Sequence, residues 1–229
     1  MLGVVTDATT GPETATLQFL GGSAELPILP AVDGRSSIDI SRLTAATGYT
    51  TLDQGFVNTA STRSAITYID GDQGILRYRG YAIEDLAAHS TYLEVAWLLI
   101  YGELPTRDQL DEFDEKIRHH TLIHEDLKRF FQALPHTAHP MSVLSSAVSA
   151  LSTYYEDDLD PHDPEKVEIN TIRLLAKLPV LAAYSHKKAI GQAFLYPDNT
   201  LSFVENFLKL NFGNLAEIYE LNPVLVKAL

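Results

Sequence analysis

The spacing of apolar positions changes near residue 80. Before it, short runs alternate at period two. Ala15-Thr16-Leu17-Gln18-Phe19-Leu20 runs into Gly21-Gly22, which predicts a strand and a turn. Ser23 to Leu29 returns as a second strand, which Pro27 confines to a sheet edge because it has no N–H to donate. Ile66 to Ile69 and Ile75 to Arg79 flank Asp70-Gly71-Asp72-Gln73-Gly74, the pattern of a hairpin whose two glycines supply positive φ. Residues 1–81 are read as a small β-rich region.

From residue 82 the period becomes helical. Thr91 with Glu94 predicts a capping box ahead of Val95, Leu98, Leu99 and Ile100, with Gly102 as the stop. Thr106 with Gln109 opens a second helix that places Leu110, Phe113 and Ile117 on one stripe. His124 to Leu134 forms a third, and Pro140 stands at the first position of a fourth. Asp163-Pro164 begins a longer helix that Pro179 kinks or breaks, since proline clashes with the preceding turn. Ser202 with Glu205 starts another, ending near Gly213. Asn222-Pro223 starts a last one whose few residues to Leu229 are marginal as a free helix, which fits either an interrupted element or a short helix docked at a chain end. The fold class is mainly α: a multi-helical body over 82–229 behind the β-rich region.

Composition narrows the class further. The chain has 229 residues, 45% hydrophobic and 21% charged, ordinary values for a globular protein. The net charge of −13 disfavours nucleic acid and anionic membrane as partners. The apolar run Leu178 to Tyr184 is far short of a membrane span, and no basic segment with a continuous apolar run precedes Asp7 and Glu13, so no secretory leader is read. With no cysteines there is no disulfide framework, which fits a cytoplasmic setting.

The candidate chemistry is sparse. His120 and His124 are four apart, good metal-ligand spacing if one helix carries both, but Lys128 stands where a zincin motif needs its second histidine. His119, His136 and His139 follow no ligand pattern, and no metal is assigned. Asp70-x-Asp72-x-Gly74 resembles the start of a calcium loop but lacks the terminal glutamate, leaving a plain turn. Arg173 and Lys177 lie four apart and can hold an anion together, although such a pair is more often a solvated face. Asp157-Asp158 beside Tyr154-Tyr155 reads as a helix end. No catalytic constellation is complete.

Longer segments carry a resemblance. Ile69 to Leu76 with Arg79-Gly80-Tyr81, Gly55-Phe56 and Thr59-Ala60-Ser61, Gly102 to Thr106, His120 to Glu125, Arg173 to Pro179, and Tyr196-Pro197 resemble, in order, the bacterial, hexamer-forming citrate synthases over roughly the N-terminal half of their length. The resemblance implies an incomplete large helical domain with a β-rich start. It implies condensation of acetyl-CoA with oxaloacetate and water to citrate and CoA, in the tricarboxylic acid cycle. Acetyl-CoA is then a substrate and no cofactor is called for. Partners are small-molecule substrates and further copies of the chain, a dimer extending to a hexamer in bacterial forms. The family's catalytic Asp and His groups belong to segments expected beyond Leu229, so this chain is expected to be inactive alone.

Two alternatives accompany that reading: a portion of a 2-methylcitrate synthase, or a non-catalytic oligomerisation or regulatory module. One family site falls within the chain. Relatives inhibited by NADH use positions that match His120, Thr121, Tyr155, Arg173 and Lys177, although His119 stands where they carry Arg and Ala216 near where they carry a cysteine.

Overall fold

A computed structural model describes residues 13–229, which leaves the leader reading and the first residues of the β-rich region outside the described part. The chain divides into two compact units, Met1–Ser90 and Thr91–Leu229.

The first unit holds two small antiparallel sheets. In one, β1 (Thr14–Phe19) pairs with β2 (Gly22–Leu29), and β2 with β3 (Ser37–Ile38). β2 is therefore the middle strand, which corrects the edge placement that Pro27 implied. The proline is tolerated because it sits where the two ladders overlap least. Ile28 N–H donates to Glu13 on the β1 side at 2.8 Å, and on the other side the Pro27 carbonyl accepts from Asp39 N–H at 2.8 Å. Only the reciprocal bond, at the end of the short β3 ladder, goes without its donor.

The second sheet joins β4 (Thr67–Asp70), β5 (Ile75–Tyr78) and β6 (Tyr81–Ala82), the last a strand the periodicity does not announce. Its hairpin turn has Gly74 at φ 68°, whereas Gly71 has no positive φ. The Asp70 carboxylate makes the turn instead, accepting from Asp72 N–H at 3.0 Å and Gln73 N–H at 2.9 Å. That employment accounts for the calcium-loop look of the segment. Helices α1 (Leu43–Thr47) and α2 (Ile83–His89) complete this unit, and each buries one leucine, Leu43 and Leu86.

The second unit is helical throughout its elements. α3 (Tyr92–Tyr101) and α4 (Arg107–His119) open on complete capping boxes at Thr91/Glu94 and Thr106/Gln109, so the side-chain signals read in the sequence are the groups that close the helix ends. Gly102 ends α3 at φ 95°, a conformation that favours glycine. Next come α5 (Glu125–Ala133), α6 (Pro140–Leu151), α7 (Pro164–Ala189), α8 (Phe203–Phe212) and α9 (Pro223–Ala228). α7 is the axis of the unit and packs on α4, α5, α6 and α8. Leu127, Phe131, Ala147, Val180, Leu181 and Tyr184 form the larger core, and Phe113, Ile117, Ile172 and Ala176 a second. These are the 3.6-period stripes of the amphipathic helices meeting around α7.

α7 runs unbroken through Pro179. Ala176 before it and Val180 after it are 2% and 1% exposed, so packing on both sides of the proline holds a turn that local chemistry disfavours. Lys187, near the end of α7, is 1% exposed. Its ammonium donates to Gln192 Oε1 at 2.6 Å and to the Gly213 carbonyl at 2.5 Å, fastening the end of α8. Burial draws its pKa below the ordinary lysine value. Among the described residues no helix is long and apolar enough to cross a membrane.

Candidate functional site: the Arg173–Lys177 cluster

The polar face of α7 carries Lys166, Asn170, Arg173 and Lys177, spaced to fall on one stripe. That stripe faces two irregular segments. One is the turn from α4 to α5, the other the pair of 3₁₀ turns Ser152–Tyr154 and Glu156–Asp158 that follow α6. Asp157-Asp158 beside Tyr154-Tyr155 therefore forms the helix end expected of it.

α4 stops at His119 without a glycine, and His120 caps it at φ −109°. The carbonyls this leaves behind turn inward. Lys177, 3% exposed, donates from Nζ to the His120 carbonyl and, at 2.6 Å, to the Leu122 carbonyl. Between them Thr121, 8% exposed, donates its hydroxyl to the Arg118 carbonyl at 3.0 Å. Arg173 turns to the other segment. Its Nη1 donates to Asp158 Oδ2 at 2.6 Å, and its guanidinium lies 4.3 Å from the centre of the Tyr155 ring. Asn170 Nδ2 donates to the Asp158 carbonyl at 2.5 Å and Lys166 Nζ to that of Asp157 at 2.7 Å. Lys177 lies 5.9 Å from the same Tyr155 ring. Burial first, and the Arg173 charge second, draw the Lys177 pKa down to about 8.

His120, Thr121, Tyr155, Arg173 and Lys177 thus come from three segments to one place. Several of their donors are already engaged, however. Two of the three Lys177 protons serve backbone carbonyls, and Arg173 Nη1 holds Asp158. The cluster as it stands binds the protein's own loops. Spacing alone misses Asp158 and Asn170, whose partners lie across a loop; the stripe from Lys166 to Lys177 is the one sequence signal of the arrangement.

The histidines do not converge. α4 ends before His120 and α5 begins after His124, so the helix that would align them is absent. His120 Nδ1 lies 2.7 Å from the Lys116 carbonyl, while His124 and His139 cap α5 and α6 by accepting from Asp126 N–H at 3.1 Å and Met141 N–H at 3.2 Å. His119 lies at the exposed end of α4, 4.0 Å from Glu115. Among the described residues no group of three or more His, Asp or Glu is placed to hold a metal.

A mainly α chain with small sheets and a long axial helix defines the class. The family profile described as "Citrate synthase, C-terminal domain" matches residues 55–229, and the chain belongs to the citrate synthase family. Citrate synthase 1 of Mycobacterium tuberculosis is 59% identical over 217 residues, covering 95% of this chain and 50% of that protein. The citrate synthase of Corynebacterium glutamicum is 50% identical over 220 residues, covering 96% of this chain and 50% of its own length. Among solved structures, citrate synthase from Pyrobaculum aerophilum superposes with a TM-score of 0.67 at 27% identity, over 96% of this chain and 49% of that one. The enzyme from Thermotoga maritima does so with a TM-score of 0.63 at 30% identity, over 77% and 44%. The chain spans about half the length of the curated relatives it matches.

Proposed function

We propose that this chain is the N-terminal half of a citrate synthase of the bacterial, hexamer-forming kind, a cytoplasmic homo-oligomer. The parent condenses acetyl-CoA, oxaloacetate and water to citrate and CoA, without a bound cofactor. The observation that carries this reading is 59% identity over 95% of the chain to a protein named citrate synthase 1. In that reaction a carboxylate takes a methyl proton from the thioester while an imidazole stabilises the enolate, work that requires positioned groups of matched pKa. No candidate for that work was read in this chain, so its own contribution is scaffold. Thiol release from acetyl-CoA with oxaloacetate therefore stays at background for the 229-residue chain and appears when the complementary half is restored. Release by the chain alone, or none from the restored protein, refutes the assignment.

The Arg173–Lys177 cluster has a second reading as a regulatory nucleotide site, favoured by the convergence of Tyr155, Arg173, Lys177, His120 and Thr121. A bidentate phosphate that used Arg173 Nη1 would compete with Asp158 for that donor. Titration of the whole parent with NADH tests this; unchanged activity at saturating NADH removes it.

A further inference from the structure

The second unit carries an apolar groove of about 540 Å³. Leu144 of α6, Leu174 and Leu178 of α7, Phe203 and Phe207 of α8, and Leu229 line it, and none of its lining side chains is charged. Leu174 and Leu178 are 46% and 43% exposed, unlike Leu181 of the same helix, which is fully buried. The half-buried Thr171 and Ala182 and the exposed Leu174 and Leu178 follow one another along α7, a strip of about three turns, roughly 16 Å at the rise of an α-helix. The hydroxyl of Thr171 is already bonded to the Val167 carbonyl at 2.8 Å.

Those features define the occupant. The walls are helices, so they offer no free backbone edge for strand addition, and the occupant satisfies its own backbone. The strip has the length and open shape for one amphipathic helix laid along it, with uncharged residues at helical spacing on the buried face. Relatives 50–59% identical to this chain carry about as much polypeptide again as the part it matches. We propose that the groove is the seat of an apolar helix from that complementary half, so that the two halves associate through α6, α7 and α8. This rests on the family reading, and it names the surface by which a half-length chain is completed.

The test mixes the 229-residue chain with the half of Mycobacterium tuberculosis citrate synthase 1 that this chain does not match, expressed separately with a tag. A one-to-one complex is expected on gel filtration. It is expected to weaken at least tenfold in Leu174→Glu with Leu178→Glu, and to survive Ile218→Glu, at a 92% exposed site outside the groove. Both altered leucines are partly exposed, and circular dichroism verifies that the variant is folded. No complex with the unaltered chain, or one indifferent to the paired substitution, overturns the proposal. So does a groove filled by a second copy that the complementary half fails to displace. Thiol release is read separately: a complex without activity upholds the docking and refutes the reaction.

Discussion

Lys177 Nζ donates to the carbonyl of Leu122 at 2.6 Å, across 55 residues of sequence. With its bond to the His120 carbonyl, this makes one ammonium the fastener of the turn between α4 and α5. Helix ends leave carbonyls unpaired, and a glycine in the left-handed conformation often serves them. Here a lysine from another helix does so, and its aliphatic stem crosses the packed interior to reach them.

A pH dependence follows from that burial. The folded state holds the Lys177 pKa near 8, below the ordinary 10.5 of the unfolded chain. Between those values the unfolded chain binds more protons, so stability rises with pH across the interval and is flat below it with respect to this group. Tyr184 acts oppositely: burial raises its pKa, so ionisation of the unfolded chain lowers stability above about pH 10. The useful window is pH 8 to 10. The difference in urea unfolding free energy between the unaltered chain and Lys177→Met is expected to grow in favour of the unaltered chain across it. A constant difference would show that Lys177 does not titrate in the fold.

Asp158 and Arg173 form the second clasp of the same stripe, with side chains 36% and 19% exposed. Partial exposure limits such a pair, and a double-mutant cycle with Asp158→Ala and Arg173→Ala is expected to give a coupling of about 1 kcal/mol. Amide exchange over 152–158 is expected to speed up in either variant. Zero coupling in low salt would reduce the pair to a surface contact.

Ser202 and Glu205 close the start of α8, each side chain bonded to the other's backbone N–H, at 3.4 and 2.8 Å. Ser202→Ala is expected to lower stability by about 1 kcal/mol, and Ser202→Asp, which keeps an acceptor at the N-cap, by much less. The urea midpoint at unchanged slope measures both. Equal losses in the two variants would exclude the cap as the cause.

The helices were legible because their signals are local: Thr91, Thr106, Ser202, Asp163 and Asn222 cap the helices they announced. Pro27 and Pro179 misled because their local penalties are outweighed by ladder geometry in one case and packing in the other. α1 and β6, of five and two residues, are too short for a period to show. The candidate site was half legible. Its basic residues share a helical stripe, but their partners are backbone carbonyls and an aspartate brought in by loop paths that no spacing encodes.

Asp198 supplies the acid-side counterpart. Its carboxylate accepts from Lys209 Nζ at 2.7 Å and from Thr200 N–H and hydroxyl at 3.0 and 2.7 Å, which hold its pKa down to about 2. The ordinary value is 3.8, so the stabilisation is complete above about pH 4 and is lost as pH falls through 2. Glu25, Asp39, Asp53, Glu112 and Glu125 are lowered as well, so the acid limb of the unaltered chain sums several groups. Comparison with Asp198→Asn isolates one of them. At pH 7 the substitution is expected to cost about 1–2 kcal/mol, the worth of a hydrogen-bonded charge that is one-third exposed. The gap between the two proteins is expected to shrink steeply as pH falls from 4 towards 2, where the unfolded Asp198 is neutral and the folded one about half protonated. Thermal unfolding at successive pH values measures it, and a gap undiminished at pH 2 would place the loss in shape rather than charge.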